Sequence, residues 1–316
     1  MGAVAFLFAG QGAQKPGMCK ALAEAEPAAA AVFDLADKVR PGTSAQCFSG
    51  TNEELRETKN TQPCVFAVDL ACARALEAHG VSPLAVAGFS LGEVAALAFA
   101  GALTDEQAMR LVCRRAELMQ AAAEAHPGSM RAVLKLDAET VERLAADAGD
   151  AWPVNYNSPL QTVVAGLPES LDKLDKLVRD AGGRSRKLAV SGAFHSPLME
   201  EAADGLLAYL KEQELPAAPQ VPVFANVTAL PYQMGEGTLP RRQELLSRQV
   251  ANPVQWVHTL EHLHEDGVDT FIEVGPGKTL TGLVGRTLEG VTALPCETPE
   301  QLEAAVKAAA AATKGE

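Results

Sequence analysis

A serine between two glycines is the first residue of this chain whose surroundings suggest chemistry. Ser90 lies in the stretch GFSLGE, and Gly88 and Gly92 complete the pattern G-x-S-x-G. In that pattern a tight strand-to-helix turn exposes the serine hydroxyl, which can then attack a carbonyl carbon. The same residues fit S-x-x-E, a capping box in which Ser90 and Glu93 satisfy free N–H groups at a helix start. The stretch alone leaves both interpretations open.

A nucleophilic serine needs a base that takes its proton. The chain has six histidines, and His195 differs from the others in its surroundings. Small and turn-forming residues flank it in SGAFHSPLM, where a candidate inserted unit returns to the main fold. A histidine at such a junction can face a cleft, so His195 is the candidate base.

Three other patterns suggest chemistry that their details do not support. AGQGAQKPG begins like a dinucleotide fingerprint, but Lys15 stands where the last glycine is required. GPGKT resembles the end of a phosphate-binding loop, but Ile272 occupies the position of its first glycine. His258, His262 and His264 could suggest a metal, yet no H-E-x-x-H pattern is present, and a polar helix face is the better interpretation.

The elements that must position Ser90 alternate between strand-like and helix-like patterns. The runs AVAFLF and LAVAGF read as buried strands, with helical patterns at about 20–39 and in a long segment after Gln62 between them. Such alternation predicts an α/β fold with a parallel sheet that carries helices on both faces.

The pattern changes between residues 126 and 195. MRAVLKL, WPVNYNSP, QTVVAGL and SRKLAV read as strands, and helical patterns follow the first and the third. The order β-α-β-β-α-β is that of a split, ferredoxin-like unit. We therefore predict a core of residues 1–125 and 196–316 and an inserted subdomain of residues 126–195.

Composition excludes several classes of partner. The 316 residues carry a formal net charge of -13, which argues against a nucleic-acid partner because phosphate binding needs a basic face. No apolar run approaches the roughly 18 residues of a membrane span, and no secretory signal is recognisable. The six cysteines show no C-x-x-C spacing, which favours reduced thiols and a cytoplasmic location.

Seven motifs in register resemble those of the malonyl-CoA:acyl carrier protein transacylases of fatty-acid synthesis. The resemblance runs along nearly the whole chain. The motifs, in order, are FAGQGAQ, GFSLGEVAAL, RRAELMQ, VNYNSPLQTVVAG, SGAFHSPLM, NPVQW and EVGPGKTLTGL. The resemblance implies an α/β-hydrolase-like core with a ferredoxin-like insertion.

The resemblance also implies roles for individual residues. Ser90 would be the nucleophile and His195 the general base, oriented by a main-chain carbonyl instead of an aspartate. That carbonyl is assigned to Gln249, although a neighbouring residue could supply it. The N–H groups of Gln11 and Leu91 would form the oxyanion hole, and one such donor typically contributes about 3 kcal/mol to transition-state stabilisation.

Substrate choice is implied at two further positions. Arg115 matches the arginine that holds the free carboxylate of malonate, and its planar guanidinium suits such an ion. The alternative for an arginine on a helix is a solvated side chain, which is what we expect of Arg114. Phe194 matches the residue that accompanies selection of malonyl over methylmalonyl groups.

Two positions depart from the usual pattern of the family. Phe89 and Val94 stand where histidine and, often, an aromatic residue are usual. We expect altered packing or an altered pKa near Ser90 and no loss of activity, because no proposed catalytic atom is removed.

The implied reaction is ping-pong transfer of a malonyl group to the phosphopantetheine thiol of an acidic acyl carrier protein, without a cofactor or metal. Docking against the negative net charge needs a local basic patch, for which Arg184, Arg186 and Lys187 are candidates, with Arg286 as a further one. The alternative for the run at 184–187 is a solvated loop. The alternatives are an acyltransferase of a polyketide or polyunsaturated lipid synthase, a serine thioesterase or esterase, and a non-catalytic docking module.

Overall fold

The computed structural model describes residues 2–190, 192–235 and 237–314, so Ser191 of the motif around His195 lies outside the described residues. Its strands are β1 Ala3–Phe8, β2 Ala85–Gly88, β3 Ser129–Leu134, β4 Ala151–Ser158, β5 Gln161–Gly166, β6 Arg184–Lys187, β7 Val223–Phe224, β8 Val268–Val274 and β9 Thr292–Cys296.

The α-helices surround two separate sheets. They are α1 Lys20–Ala25, α2 Pro27–Val39, α3 Thr43–Ser49, α4 Thr58–Ala78, α5 Gly92–Phe99, α6 Asp105–Ala125, α7 Ala138–Ala148, α8 Pro168–Asp180, α9 Glu200–Glu212, α10 Leu239–Arg248, α11 Trp256–Glu265, α12 Thr279–Thr287 and α13 Pro299–Lys314. Short 3-10 turns cover Glu54–Arg56, Pro197–Met199 and Gln249–Ala251.

The larger sheet has five parallel strands in the order β7-β2-β1-β8-β9. The predicted α/β class with a parallel sheet is therefore confirmed. The carboxyl ends of parallel strands meet at one edge, where the chain leaves β1 towards Gln11 and leaves β2 towards Ser90.

The central strand β1 is buried on both faces. Phe6 and Phe8 pack into one apolar cluster, where both rings meet Phe99. Ala5 and Leu7 point to the opposite face and pack with Trp256 among other residues. This alternation explains why AVAFLF is continuously apolar, as expected for a strand with helices on both sides.

The smaller sheet is antiparallel, with the order β4-β5-β3-β6. Alternation again divides its faces: Val133 and Val164 pack under α7 and α8, whereas Ala132 and Val163 line a cavity between the two sheets. The predicted strand pair WPVNYNSP and QTVVAGL is confirmed by β4 and β5.

The strand predicted at SRKLAV ends earlier than its sequence suggests. β6 stops at Lys187, and the next residues, 188–190, line the cavity between the sheets. These apolar residues face a cavity wall instead of continuing the ladder, which periodicity alone does not show.

Among the described residues no helix combines the length and the hydropathy that crossing a membrane would need. All six cysteines are free thiols, as predicted.

Candidate active site

Ser90 occupies a strained turn between β2 and α5. Its φ is 54°, in the left-handed region that residues other than glycine rarely adopt. The flanking glycines make this turn possible: a Cβ on Gly88 would lie 1.9 Å from the Gly92 carbonyl carbon. A Cβ on Gly92 would lie 2.3 Å from the Phe8 carbonyl oxygen at the end of β1. The G-x-S-x-G spacing is therefore required by close backbone packing.

The capping-box interpretation of this stretch is wrong. The N-cap residue of α5 is Leu91, whose side chain makes no capping hydrogen bond. The Ser90 hydroxyl meets His195 instead. The Glu93 carboxylate accepts hydrogen bonds from the Asn226 N–H and from the Tyr232 hydroxyl.

The geometry around His195 fixes its tautomer. The Gln249 carbonyl oxygen lies 2.8 Å from Nδ1 and can only accept, so Nδ1 carries the proton. In the neutral ring Nε2 is then an acceptor, and the Ser90 hydroxyl donates to it across 2.7 Å. A hydroxyl held in this way can pass its proton to Nε2 as Oγ attacks. The carbonyl comes from Gln249, the residue named from the sequence.

Burial keeps His195 neutral. The side chain is 4% exposed, and desolvation, helped by the nearby positive charge of Arg115, lowers its pKa to about 4. The Gln249 carbonyl opposes this shift because it stabilises a protonated ring. The unprotonated form is the one that can accept a proton at neutral pH. Like Ser90, His195 has a left-handed backbone, with φ at 62°.

Two main-chain N–H groups beside Ser90 are free to bind an anion. Gln11 follows β1 and lines the same cavity as Ser90. Leu91 directly follows Ser90 and precedes the first turn of α5, where the helix dipole favours negative charge. Within the described ranges, neither N–H donates to another protein group.

Arg115 is buried, with 1% of its surface exposed, and it contacts the serine directly. Its Nη2 donates to Ser90 Oγ at 3.2 Å and to Gln249 Oε1 at 2.8 Å, and its Nη1 donates to Gln62 Oε1 at 2.7 Å. The Nε–H has no partner in the described part of the chain. Burial lowers the pKa of Arg115 to about 10, and the nearby Glu93 carboxylate opposes that shift, so the guanidinium stays charged at neutral pH. Arg114 is about half exposed and pairs with Glu117, as expected of a solvated arginine.

These groups line a cavity of about 480 Å³ between the two sheets. Phe194, the residue before His195, is buried and forms part of its wall. Met119 and Met130 add apolar surface to the same wall. The cavity thus joins a cation, a serine–histidine pair and an apolar lining, which suits a short acyl chain ending in an anion.

Four residues of the site make contacts that the sequence analysis did not predict. Asn226 accepts the Ser90 N–H at 2.7 Å and donates to the Gly88 carbonyl at 2.6 Å, so one side chain ties both sides of the turn. Glu93, Tyr232 and Gln62 complete the hydrogen-bond network around the serine and Arg115. These contacts join residues separated by 53 to 139 positions, which no local motif can reveal.

The two departures from the usual family pattern are both accommodated by packing. Phe89 stacks edge-on against Trp256 with ring centroids 5.2 Å apart and lines the cavity. Val94 is fully buried within α5.

The late histidines do not form a metal site. In the described ranges no group of three or more metal-binding side chains comes together. His258 contacts Glu261, His262 contacts the Ala229 carbonyl and His264 contacts the Val268 carbonyl. These contacts agree with a polar helix face.

Comparison with known proteins gives a consistent family. The family described as "Acyl transferase domain" matches residues 5–311. The chain is 36% identical over 313 residues to the "Malonyl CoA-acyl carrier protein transacylase" of Bacillus subtilis, and the match covers 97% of each chain.

Solved structures agree with the sequence comparison. The "malonyl CoA-acyl carrier protein transacylase" from Coxiella burnetii superposes with a TM-score of 0.92 at 34% identity, covering 97% of each chain. A "type II PKS acyl-carrier protein in complex with its malonyl-transacylase" gives a TM-score of 0.91 at 35% identity, covering 97% of this chain and 99% of that one.

Proposed function

Because the chain belongs to the acyl transferase domain family, we propose that Ser90 carries the acyl group in the reaction of this enzyme, the transfer of malonyl from malonyl-CoA to an acyl carrier protein. Curated and solved relatives at 34–36% identity carry this activity in their names. The acceptor pathway is fatty-acid or polyketide synthesis.

In the proposed first half-reaction, His195 takes the Ser90 proton on Nε2 while Oγ attacks the thioester carbonyl of malonyl-CoA. The Gln11 and Leu91 N–H groups stabilise the oxyanion of the tetrahedral intermediate. The C–S bond then breaks, the CoA thiolate leaves with the proton held by His195, and a malonyl-serine ester remains.

In the proposed second half-reaction, the phosphopantetheine thiol of the carrier protein attacks the ester carbonyl. His195 takes the thiol proton and returns a proton to Ser90 Oγ as the C–O bond breaks. Arg115 holds the malonyl carboxylate throughout, and Phe194 lines the space beside the α-carbon. The reaction needs no redox step, metal or cofactor.

One observation supports this proposal most strongly: Arg115 and His195 both contact the same oxygen, Ser90 Oγ. A hydrolase needs the serine and its base, but it does not need a buried cation within hydrogen-bond reach of the nucleophile. In a malonyl group a single methylene separates the carboxylate from the reacting carbonyl. A cation this close to Oγ is therefore suited to a short acid acyl group.

We further propose that the carrier protein docks against β6. Arg184, Arg186 and Lys187 are exposed on this edge strand of the smaller sheet. The following residues, 188–190, line the cavity, so the basic strand leads directly to its wall. Arg286 is also exposed and contacts Gln161, another lining residue. A carrier with acidic groups at its surface would meet positive charge at the cavity mouth.

We also propose that the chain divides into a core and an inserted subdomain. We interpret the larger sheet as an α/β-hydrolase-like core of residues 1–125 and 196–316, and residues 126–195 as a ferredoxin-like insertion. The strand order β4-β5-β3-β6 and the helices α7 and α8 support the second part. A cytoplasmic location stays a prediction that rests on the cysteine pattern.

The test is the intact mass of the protein after brief mixing with malonyl-CoA. We expect an increase of one malonyl group, a much smaller adduct with acetyl-CoA, and discharge of the malonyl group when acyl carrier protein is added. If the mass is unchanged and the malonyl-CoA stays intact, the result would contradict transacylase activity. Release of free malonate without a carrier would indicate a hydrolase.

The pH dependence of acylation gives a second test, of His195 as base. Since burial lowers its pKa to about 4, the neutral ring is available over the whole range above that value. The rate of malonyl-enzyme formation should stay nearly constant from about pH 8 to about pH 5 and fall below it. A base with an ordinary histidine pKa would lose half its rate near pH 6.5 instead. Rapid-quench mass measurement of the first turnover distinguishes the two profiles, and a half-loss near pH 6.5 would contradict a neutral, buried base.

A further inference from the structure

Behind the serine lies a buried carboxylate that the proposed reaction does not use. Glu93 is completely buried in the first turn of α5. Oε1 accepts a hydrogen bond from the Tyr232 hydroxyl. Oε2 accepts from the Asn226 N–H at 2.9 Å and from Gln249 Nε2 at 3.1 Å. Burying a carboxylate is costly, and three converging donors on one carboxylate indicate that its placement matters.

The side-chain amide of Gln249 lies between groups of opposite character. Its Nε2 faces three acceptors: the Ser90 carbonyl oxygen at 2.6 Å, Glu93 Oε2 at 3.1 Å and Asn226 Oδ1 at 3.4 Å. Its Oε1 faces a donor, Nη2 of Arg115, at 2.8 Å. A flipped amide would place oxygen against three acceptors and nitrogen against a cation. The surroundings therefore determine one orientation.

Gln249 therefore contacts both the general base and the arginine of the site. Its main-chain carbonyl accepts the Nδ1 proton of His195, and its side-chain oxygen binds Arg115. Whatever fixes the Gln249 side chain therefore helps to fix the cation beside Ser90, together with Gln62, which holds the other end of the guanidinium.

On the basis of the proposed function, we propose that Glu93 is a positioning residue, which orients the Gln249 amide so that Gln249 can hold Arg115 in place for the malonyl carboxylate. Glu93 touches neither the serine hydroxyl nor the cavity surface, so it acts through Gln249. Its second contact, with the Asn226 N–H, supports the side chain that binds the Ser90 N–H.

The positioning role of Glu93 depends on the geometry of its hydrogen bonds and not on its negative charge. Burial raises the pKa of Glu93 to about 7, although its hydrogen bonds oppose that shift. Tyr232 can turn its hydroxyl from donor to acceptor, so a proton on Oε1 leaves both bonds to Oε2 intact. Glutamine at position 93 can bind in the same way, with its nitrogen towards Tyr232 and its oxygen towards Gln249 and Asn226.

The experiment compares Glu93→Ala and Glu93→Gln in the full-length chain by the ratio of acylation rates with malonyl-CoA and acetyl-CoA. Glu93→Ala should lower the malonyl preference about tenfold or more, because Arg115 loses the orientation of a charge-assisted hydrogen bond. Glu93→Gln should restore the preference to within about threefold of the unaltered protein, since the geometry survives without the charge. A general loss of stability would slow acylation by malonyl-CoA and by acetyl-CoA equally, so the ratio of the two rates would be unchanged.

The matched control is Glu297→Ala, which also removes a buried carboxylate. Glu297 accepts the Gly277 N–H and pairs with Lys15, and it contacts neither Gln249 nor Arg115. This variant should leave the malonyl preference unchanged while lowering the thermal midpoint.

A second variant keeps the test decisive if Glu93→Ala does not fold. Gln249→Leu removes the amide but retains the main-chain carbonyl, and it should lower the malonyl preference to a similar extent. The double variant Glu93→Gln, Gln249→Leu should match Gln249→Leu alone, because both changes act through one amide. The inference is overturned if Glu93→Ala or Gln249→Leu retains the full preference, or if Glu93→Gln loses it. If the unaltered protein forms no malonyl-enzyme at all, the proposed function fails instead.

Discussion

Ser90→Ala is expected to abolish formation of the malonyl-enzyme and to lower transfer to the carrier protein by about 10⁴-fold or more. The hydroxyl is the atom that becomes acylated, and His195, Arg115 and the oxyanion donors all serve it. The intact mass after mixing with malonyl-CoA and the rate of carrier acylation measure the two effects. The fold should persist, because alanine removes one oxygen and leaves the main-chain bond to Asn226 in place.

The control for this variant is Ser49→Ala, at an exposed serine of α3 whose hydroxyl, among the described residues, bonds only to the Ala45 carbonyl. It should be acylated like the unaltered protein. Acylation of Ser90→Ala at full extent would place the nucleophile elsewhere, and the serine at the turn would then need another explanation.

The second large effect is expected at Arg115. Arg115→Ala should reduce kcat/KM for malonyl-CoA by about 10²-fold or more, since charge-assisted hydrogen bonds contribute about 1.5–3 kcal/mol each. The rate with acetyl-CoA should fall far less, because an acetyl group has no carboxylate to bind. For Arg115→Lys, kcat/KM for malonyl-CoA should lie between the values for the unaltered protein and for Arg115→Ala, since an ammonium ion cannot form the parallel pair of hydrogen bonds.

Arg114→Ala is the matched control, because it removes a neighbouring arginine of the same helix whose partner is Glu117 at the surface. Acylation by both donors should be unchanged in it, and stability should change by less than about 1 kcal/mol. An equal loss for malonyl and acetyl groups in Arg115→Ala would contradict a role in substrate choice. Such a result would mean that Arg115 supports Ser90 or the fold.

Local sequence pattern was sufficient for the elements near the turn. The apolar runs before Gln11 and Ser90 are parallel neighbours in the sheet, as their burial on both faces predicts. The strand pair β4 and β5 was also recognisable from its short connection. The pattern around Ser90 did not separate a nucleophile from a helix cap, because both use a serine at a strand-to-helix turn.

The remainder of the site depends on contacts across the fold. Glu93 resembles a capping residue when only Ser90 is considered, yet the partners of its carboxylate are 133, 139 and 156 residues away. Asn226 and Tyr232 lie in a region with little regular structure, where periodicity carries no information. Gln249 was named through a resemblance to a family, and its side-chain contacts with Arg115 and Glu93 follow from geometry that no spacing encodes.

The left-handed turns at Ser90 and His195 have a consequence for how such a chain evolves. Each of these residues has a backbone conformation that glycine adopts freely and that costs other residues about 1 kcal/mol or more. At Ser90, whose small side chain is only partly buried, glycine would relieve that strain while removing the nucleophile. In a lineage released from selection for acyl transfer, one substitution there would therefore give an inactive protein with a relaxed turn. At His195 the same change would leave the space of a buried imidazole unfilled, which costs more than the strain it relieves. Selection for turnover therefore acts against a backbone preference for glycine at the serine, whereas packing also favours retention of the histidine.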